Sequence, residues 1–245
     1  MRTFRADLHI HTVLSPCGDL GMSPENIVRR AVAQNLDIIG ITDHNSTRQC
    51  SLISRMAAAK GIFALCGAEI TSREEVHCLA FMPDREKLDA LQQYLDLHLG
   101  NIPNDIEKFG YQVVVDENEN IVFEEPRLLI QSIDQSVEEI EAFVHIHGGI
   151  FIPAHVNRSA YSLISQLGFI PSELNFDALE ISKHTSKQKF VLEHPDLALK
   201  TFVQNSDAHY LDNIGEKFTT FLIEKPCFQE IKMALKGDGG RQAIL

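Results

Sequence analysis

The sequence predicts an α/β fold with a parallel sheet or barrel, and two observations lead to this prediction. Short apolar runs typical of buried strands alternate along the chain with segments of helical periodicity. Histidines and carboxylates follow several of the apolar runs. Because the loops after the strands of an α/β barrel converge on one face, we expect these polar residues to share one site.

The predicted strands are short. In the first, residues 4–10, His9 is followed two positions later by His11, and residues two apart point to the same side of an extended backbone. Residues 36–41 form a nearly continuous apolar run, as in parallel strands that are buried on both faces. The further strands that the sequence predicts are residues 62–66, 76–82, 150–153, 178–182 and 201–204.

The segments between the strands carry helix signals. Ser23 precedes Pro24 at a first helical position, and Ser136 opens a capping box with Glu139. Residues 46–60 read as a helix that stops at a glycine, and residues 84–99 carry leucines at helical spacing. Helices are therefore predicted between most of the strands.

Residues 100–135 interrupt this alternation. Residues 111–116 and 121–123 flank an acidic turn and predict a β-hairpin. We expect the segment to be an insertion or a cap over the site mouth, because long excursions from compact domains often shape binding sites. Nothing resembling a linker divides the rest of the chain, so residues 1–245 are expected to form one domain.

The composition limits the classes of protein. Hydrophobic residues make up 44% of the 245 residues, yet no apolar stretch approaches the roughly 20 residues of a membrane span. No secretory signal is apparent at the start, so a cytoplasmic enzyme with no membrane partner is expected. No two of the five cysteines form a CxxC pair. The cysteine pattern is therefore typical of neither a disulfide framework nor a zinc knuckle.

The formal net charge of −12 bears on the substrate. Broad nonspecific binding to nucleic acid relies on a basic surface, so we expect no extended nucleic-acid surface. Bound metal ions can still make a local pocket positive. The expected partner is therefore a small phosphorylated molecule, which could be a nucleotide, and the sequence does not indicate the oligomeric state.

Four short segments bring histidines and carboxylates together, and each lies at the end of a predicted strand. Both residue types are ligands for zinc, manganese and iron, so the segments predict one multinuclear metal site. By contrast, His145 and His147 lie on a predicted helix, where residues two apart face nearly opposite sides. The four segments are DLHIH at 7–11, TDHN at 42–45, PAH at 153–155 and NSDAH at 205–209.

The motifs DLHIHT, ITDHN, IPAH and NSDAH, in this order, resemble those of the PHP (polymerase and histidinol phosphatase) superfamily of metal-dependent phosphoesterases. The resemblance extends from Ala6 to about Tyr210 and is weakest in the hairpin region. It implies a distorted (β/α)7 TIM-like barrel whose site holds two or three divalent metal ions, namely zinc, manganese or iron.

The resemblance also implies metal ligands at nine positions. The first ion would be held by His9, His11, Glu69 and Asp207; Glu69 would bridge to a second ion at His77 and His155; and Asp19, His44 and His209 would hold the third. Many relatives carry an acidic residue immediately after the serine that follows HxHT, whereas this chain has Pro16-Cys17-Gly18 before Asp19. Full occupancy of the third position is therefore in question.

Other side chains are candidates for orientation and substrate binding. Asp7 and Asp43 adjoin ligand positions and could fix histidine tautomers. Arg158 is the candidate phosphate clamp, because a guanidinium can bind two phosphate oxygens. A structural ion pair is the alternative interpretation of Arg158. The catalytic candidates are Glu69, Asp207 and Arg158. The remaining candidates for substrate contact are Lys183 and His184.

These features favour hydrolysis of a phosphate ester of a small metabolite or nucleotide by metal-activated hydroxide. Within that class, histidinol phosphatase and short-oligonucleotide exonuclease activity are alternatives. A noncatalytic PHP-fold module is a different class, opposed by the nearly complete ligand set. Metal-dependent C–N hydrolysis on an amidohydrolase-type barrel is a third, although a lysine commonly bridges the metals there and Glu69 occupies that role here.

Overall fold

The computed structural model describes residues 1–245, which form eleven strands, eight α-helices and three short 3₁₀ turns. The strands are β1 Arg2–Ile10, β2 Ile38–Ile41, β3 Phe63–Thr71, β4 His77–Phe81, β5 Val113–Val115, β6 Ile121–Glu124, β7 Ile150–Pro153, β8 Leu179–Ile181, β9 Phe202–Gln204, β10 Thr219–Ile223 and β11 Gln242–Ile244. The helices are α1 Pro24–Ala33, α2 Cys50–Ala58, α3 Arg85–His98, α4 Ile106–Phe109, α5 Val137–Ile146, α6 Leu163–Leu167, α7 Lys187–Glu193 and α8 Phe228–Lys236. The 3₁₀ turns are Pro195–Leu197, Leu211–Asn213 and Asp238–Gly240. No helix is both long enough and apolar enough to cross a membrane.

A curled sheet confirms the predicted fold class. Its seven strands follow the order β11-β10-β1-β2-β3-β4-β7, and β8 and β9 form a separate parallel pair. At the carboxyl end of β1, His11 N donates to Ala208 O at 3.0 Å, and Ala208 N donates to His9 O at 3.0 Å. The chain that follows β9 thereby pairs with the end of β1, next to the seven-stranded sheet of the distorted TIM-like barrel.

The strand directions differ from an all-parallel arrangement. The pairs β1–β2 and β2–β3 are parallel, but β4 is antiparallel to both β3 and β7. His77 is the first residue of β4, and it pairs with Thr71 at the end of β3. Reversal of β4 therefore brings a residue from the start of a strand to the same edge as the residues that follow the parallel strands.

An apolar cluster fills the inside of the curled sheet beneath the polar segments. Leu65 of β3 and Leu79 of β4 belong to this cluster, and each lies on the same strand face as a polar residue nearer the edge, Glu69 and His77 respectively. Helix α8 supplies Phe228, Ile231 and other residues of the cluster. A second cluster packs α1, α2, α3, α5 and α6 against the outer face of the sheet.

An irregularity in β1 aims the first histidine pair. Leu8 belongs to the inner apolar cluster, whereas Ile10 belongs to the outer one, so the alternation of faces breaks between them. The pairing of β1 with β2 shifts register between Asp7 and Ile10. Such a shift re-aims side chains, and it places His9 and His11 on the inner side above Leu8.

Several helix boundaries follow the predicted signals. Pro24 opens α1, Asp84 accepts a hydrogen bond from Lys87 N at the start of α3, and Ser136 forms the capping box of α5. Helix α2 begins at Cys50 rather than near residue 46, because Thr47 N and Oγ1 instead donate to the Gln92 side chain. The sequence analysis assigned no element to α6, α7 or residues 219–244.

The predicted hairpin is present as antiparallel strands β5 and β6. It packs on the loops that follow β1 and β2: Val113 and Val115 contact Val13, and Gln49 exchanges hydrogen bonds with the Val115 backbone at 2.9 and 3.0 Å. No residue from 100 to 135 lines the cavity beside the histidines. The segment therefore supports the loops that carry His11 and His44.

Candidate metal centre

The carboxylate of Glu69 lies at the centre of a ring of histidines. Glu69 is 1% exposed, and five imidazoles have a nitrogen within 3.3 Å of its oxygens. Oε1 faces His9, His77 and His155, at 3.3, 2.9 and 3.2 Å. Oε2 faces His11 and His44, each at 3.3 Å. Both oxygens thus face imidazole nitrogens, so this carboxylate could bridge two cations.

Glu180 fixes the ring of His9. Its two carboxylate oxygens accept from His9 Nδ1 at 3.1 Å, and they also accept from His155 N and Asn205 Nδ2. Because a carboxylate only accepts, His9 carries its proton on Nδ1 and keeps the lone pair on Nε2, which faces Glu69. The sequence analysis missed Glu180, although a carboxylate within an apolar strand was a visible signal.

Asp43 fixes the ring of His11 through Ser15. Ser15 Oγ donates to Asp43 Oδ1 at 2.7 Å, so it accepts the proton of His11 Nδ1 at 3.0 Å. His11 Nε2 is therefore the free ligand atom. Asp7 has other partners, since it accepts from Ser206 N, Ser206 Oγ and Gly215 N and contacts no imidazole.

Buried nitrogens without hydrogen bonds indicate that the ring of histidines suits cations. Nδ1 of His44, Nδ1 of His155 and both ring nitrogens of His77 are buried without a hydrogen bond. His77 Nδ1 lies 2.9 Å from Glu69 Oε1, but in a geometry that forms none. Unpaired buried polar atoms are costly. Nδ1 of His44 and Nδ1 of His77 are the two that face Glu69, and divalent cations beside that carboxylate would satisfy them.

Asp207 links this centre to Arg158. Asp207 Oδ1 lies 3.5 Å from His9 Nε2 and 3.6 Å from His11 Nε2, while Oδ2 accepts from Arg158 Nη1 at 2.7 Å. His155 and Asp207 have φ angles of 30° and 52°. Such values are rare for residues other than glycine and concentrate at functional sites.

Burial and neighbouring charged groups together shift the pKa values of residues in the centre. Burial raises the pKa of Glu69, but the surrounding imidazoles, His77 foremost, outweigh it and hold that pKa well below its usual range. Burial and the neighbouring His11 lower the pKa of His209 to about 4. Burial, followed by the Glu69 carboxylate, raises the pKa of the Cys17 thiol, which therefore needs a nearby cation in order to ionise.

A cavity of about 420 Å³ opens beside the cluster. Arg158, Lys183 and His184 line it together with Asp207 and His209. Lys183 Nζ donates to Glu216 at 2.8 Å at the rim. The three predicted substrate contacts thus line the same cavity as two of the predicted ligands.

One residue of the third predicted metal position, Asp19, lies apart from the other candidate ligands. Asp19 is exposed, and its Oδ1 accepts from Gly21 N at 2.8 Å. It joins no group of candidate ligands, whereas Cys17 forms one with His11, His44 and His209. The sequence analysis did not consider Cys17 as a ligand.

The remaining histidines have local partners away from the centre. His145 contacts Glu141 and Asp177, and the ring of His147 hydrogen-bonds the Phe143 carbonyl at 2.8 Å. His98 contacts Asp134 at 2.7 Å, and His194 packs on Phe190. The HxH at 145–147 is therefore no part of the cluster.

The barrel carries a centre of histidines and carboxylates that could hold metal ions, and this combination defines a class of α/β proteins. The sequence model of the PHP domain matches residues 7–193. The chain therefore belongs to the PHP family, which confirms the resemblance drawn from its motifs.

Among curated proteins, the chain is 25% identical over 278 aligned positions to "Uncharacterized protein YqxK" of Bacillus subtilis (strain 168), which covers all of this chain and 65% of that protein. Among solved structures, it resembles the lesion-specific endonuclease PfuEndoQ from Pyrococcus furiosus, with a TM-score of 0.76 and 20% identity over 100% of this chain and 58% of that one. The chain thus spans less than two thirds of the length of these proteins.

A second similar structure is endonuclease Q in complex with a 27-mer duplex substrate with an abasic lesion at the active site. Its TM-score is 0.72 at 20% identity, and the match covers 98% of this chain and 58% of that one. This finding corrects the expectation that a net charge of −12 excludes an extended nucleic-acid surface, because a protein of this fold holds a duplex. Net charge averages over the whole surface, whereas binding depends on the local field at the site.

Proposed function

We propose that this protein is a metal-dependent phosphoesterase that hydrolyses a phosphodiester bond in nucleic acid. The observation that carries the proposal is the Glu69 carboxylate with five imidazole nitrogens within 3.3 Å of its oxygens, beside a cavity that Arg158 and Lys183 line. The proposal treats residues 1–245 as one PHP-type domain, with an insertion at about 100–135.

The metal ligands that we propose lie around Glu69. His9, His11 and Asp207 would hold one ion with Glu69, and His77 and His155 would hold another. When bound, divalent ions in such a pair polarise the phosphate, lower the pKa of water and offset charge at the leaving oxygen. Glu180 and the Asp43–Ser15 pair keep the imidazole lone pairs of His9 and His11 directed inward.

The cavity wall supports a phosphodiester as substrate. Arg158 makes a single side-chain hydrogen bond, from Nη1 to Asp207, so its other donors are free to bind phosphate oxygens. Lys183 adds a second cation to the lining of the same cavity. The likeness to a structure with a bound 27-mer duplex supports nucleic acid as the source of that phosphodiester.

The test combines metal analysis with a substrate panel. We expect gently purified protein to carry two or three equivalents of zinc, manganese or iron. We expect it to cleave duplex oligonucleotides, with or without an abasic site, and bis(p-nitrophenyl) phosphate. Chelation should abolish cleavage, and added divalent metal should restore it, because the ions activate water.

The control is His147→Ala, which removes a histidine outside the centre and should leave cleavage nearly unchanged. Turnover of phosphomonoesters alone would contradict the nucleic-acid part of the proposal. Metal-loaded protein that hydrolyses no phosphate ester would contradict the proposed activity. Hydrolysis of a C–N bond instead would place the protein with the amidohydrolase type.

Arg158→Lys should lower kcat/KM for the phosphodiester by about tenfold or more with metal content unchanged, because an ammonium cannot reproduce the planar fork that binds two oxygens. Steady-state kinetics beside thermal melts would measure this. Arg85→Lys is the matched control, since Arg85 is exposed and pairs only with Asp89. Unchanged kinetics with a lowered melting temperature in Arg158→Lys would show that Arg158 acts only as an ion-pair partner of Asp207.

A further inference from the structure

We propose that Cys17, and not Asp19, completes the third metal position, and that its thiolate makes this position selective for a soft divalent ion such as zinc. The inference rests on the proposed function, because it concerns the same centre. Potential ligand atoms of Cys17, His11, His44 and His209 all lie within 4.8 Å of one another.

A tight loop places Cys17 there. Ser15 N donates to Thr12 O at 3.1 Å, and Gly18 N donates to Ser15 O at 2.9 Å. A Cβ on Gly18 would lie 2.4 Å from Thr12 O, so only glycine allows this turn. Asp19 N then donates to His209 O at 2.9 Å, which ties the loop to the segment that carries His209.

The same contact explains why Asp19 is not a ligand. Its backbone, rather than its side chain, bonds to the His209 segment, and its carboxylate caps Gly21 N on the exposed side. The thiol of Cys17, two residues earlier, thus lies among the histidines where the resemblance would place Asp19. Cys17 also lines the cavity, so an ion held there would be reached from the substrate side.

The tautomers of the histidines determine which of their nitrogens are free to bind the third ion. His209 Nδ1 donates to the Asp207 carbonyl at 3.0 Å, which leaves its Nε2 lone pair free. His44 offers Nδ1, which is buried without a hydrogen bond. His11 has only Nε2 to give. That atom lies 3.6 Å from Asp207 Oδ1, a carboxylate that His44 does not contact, so we assign His11 to the neighbouring ion that Asp207 and Glu69 would hold.

One sulfur and two nitrogens therefore remain for the third ion. A set of three protein ligands with one open position is typical of catalytic zinc sites. Thiolate favours zinc over manganese, whereas an aspartate at this place would suit either. A bound cation deprotonates a coordinating thiol outright, which overcomes the protonating effect of burial.

Cobalt substitution of the full chain provides the test. We expect the cobalt-loaded wild-type protein to show a thiolate-to-cobalt charge-transfer band in the near ultraviolet. Cys17→Ser should lose this band and about one equivalent of zinc. Cys17→Asp should lose the band yet keep the equivalent, with a shift in preference toward manganese. Circular dichroism of each variant monitors folding.

Two controls sharpen the result. Cys227→Ser changes another partly exposed free thiol and should keep the band, and Asp19→Asn should keep both the band and the metal content. A band that persists in Cys17→Ser, or an equivalent lost from Asp19→Asn, would overturn the assignment. The band is independent of substrate, so loss of phosphodiesterase activity with the band intact would count against the proposed function alone.

Discussion

Glu69→Gln should lower phosphodiester turnover by at least about a hundredfold while leaving the fold intact. Glutamine has the same shape, so the buried position stays filled, but it removes the charge that five imidazoles share. One neutral amide cannot bridge two cations as a carboxylate can. We therefore expect metal analysis of this variant to show reduced content, together with the kinetic loss.

Glu230→Gln is the matched control for this change. Glu230 is also a buried carboxylate, and it accepts from Arg241 at 2.8 Å through both oxygens in a contact remote from the cavity. Its replacement should lower the melting temperature without changing metal content or turnover. Wild-type turnover from Glu69→Gln with metal still bound would show that Glu69 is not the bridging residue.

The sequence predicts most of this centre because ligand motifs and strands coincide. His9 and His11, His44, and His155 each come at or just after an apolar run, and the carboxyl ends of parallel strands meet at one edge. Four motifs in order could therefore be joined into one site before any coordinates were known. The prediction of a seven-unit barrel rested on the resemblance to the PHP superfamily rather than on the hydrophobic pattern.

What the sequence did not predict depends on direction and on side-chain reach. The resemblance named His77 as a ligand, but the hydrophobic pattern did not explain its position: His77 reaches the centre because β4 runs antiparallel, and an apolar run does not disclose its direction. Asp7 adjoins a ligand position in sequence yet binds Ser206 and Gly215 across the barrel. Glu180 takes the orienting role, through contacts with residues far away along the chain.

In the loop after β1, too, the sequence alone does not determine the direction of a side chain. Counting residues from the HxHT motif leads to Asp19 as the nearest acid, but the turn that Gly18 allows directs this carboxylate outward. Spacing within an irregular loop does not define the direction of a side chain. The metal-ligand geometry there follows from backbone hydrogen bonds that the sequence alone does not specify.

Asp207→Asn should also reduce turnover by at least about a hundredfold, and for a reason that differs from Glu69→Gln. Asp207 lies at the edge of the centre, with one oxygen toward His9 and His11 and the other on Arg158. The imidazoles outweigh burial and hold its pKa well below the usual range, so the substitution removes a full negative charge.

The backbone should tolerate this substitution. Asp207 has a φ of 52°, a conformation that asparagine adopts more readily than most residues, so the fold should persist. Asp212→Asn on the following turn is the control, because that side chain is 98% exposed and should leave turnover unchanged. Loss of one metal equivalent beside the kinetic loss would assign Asp207 as a ligand. Normal kinetics with full metal content would contradict that assignment and leave the residue as an anchor for Arg158.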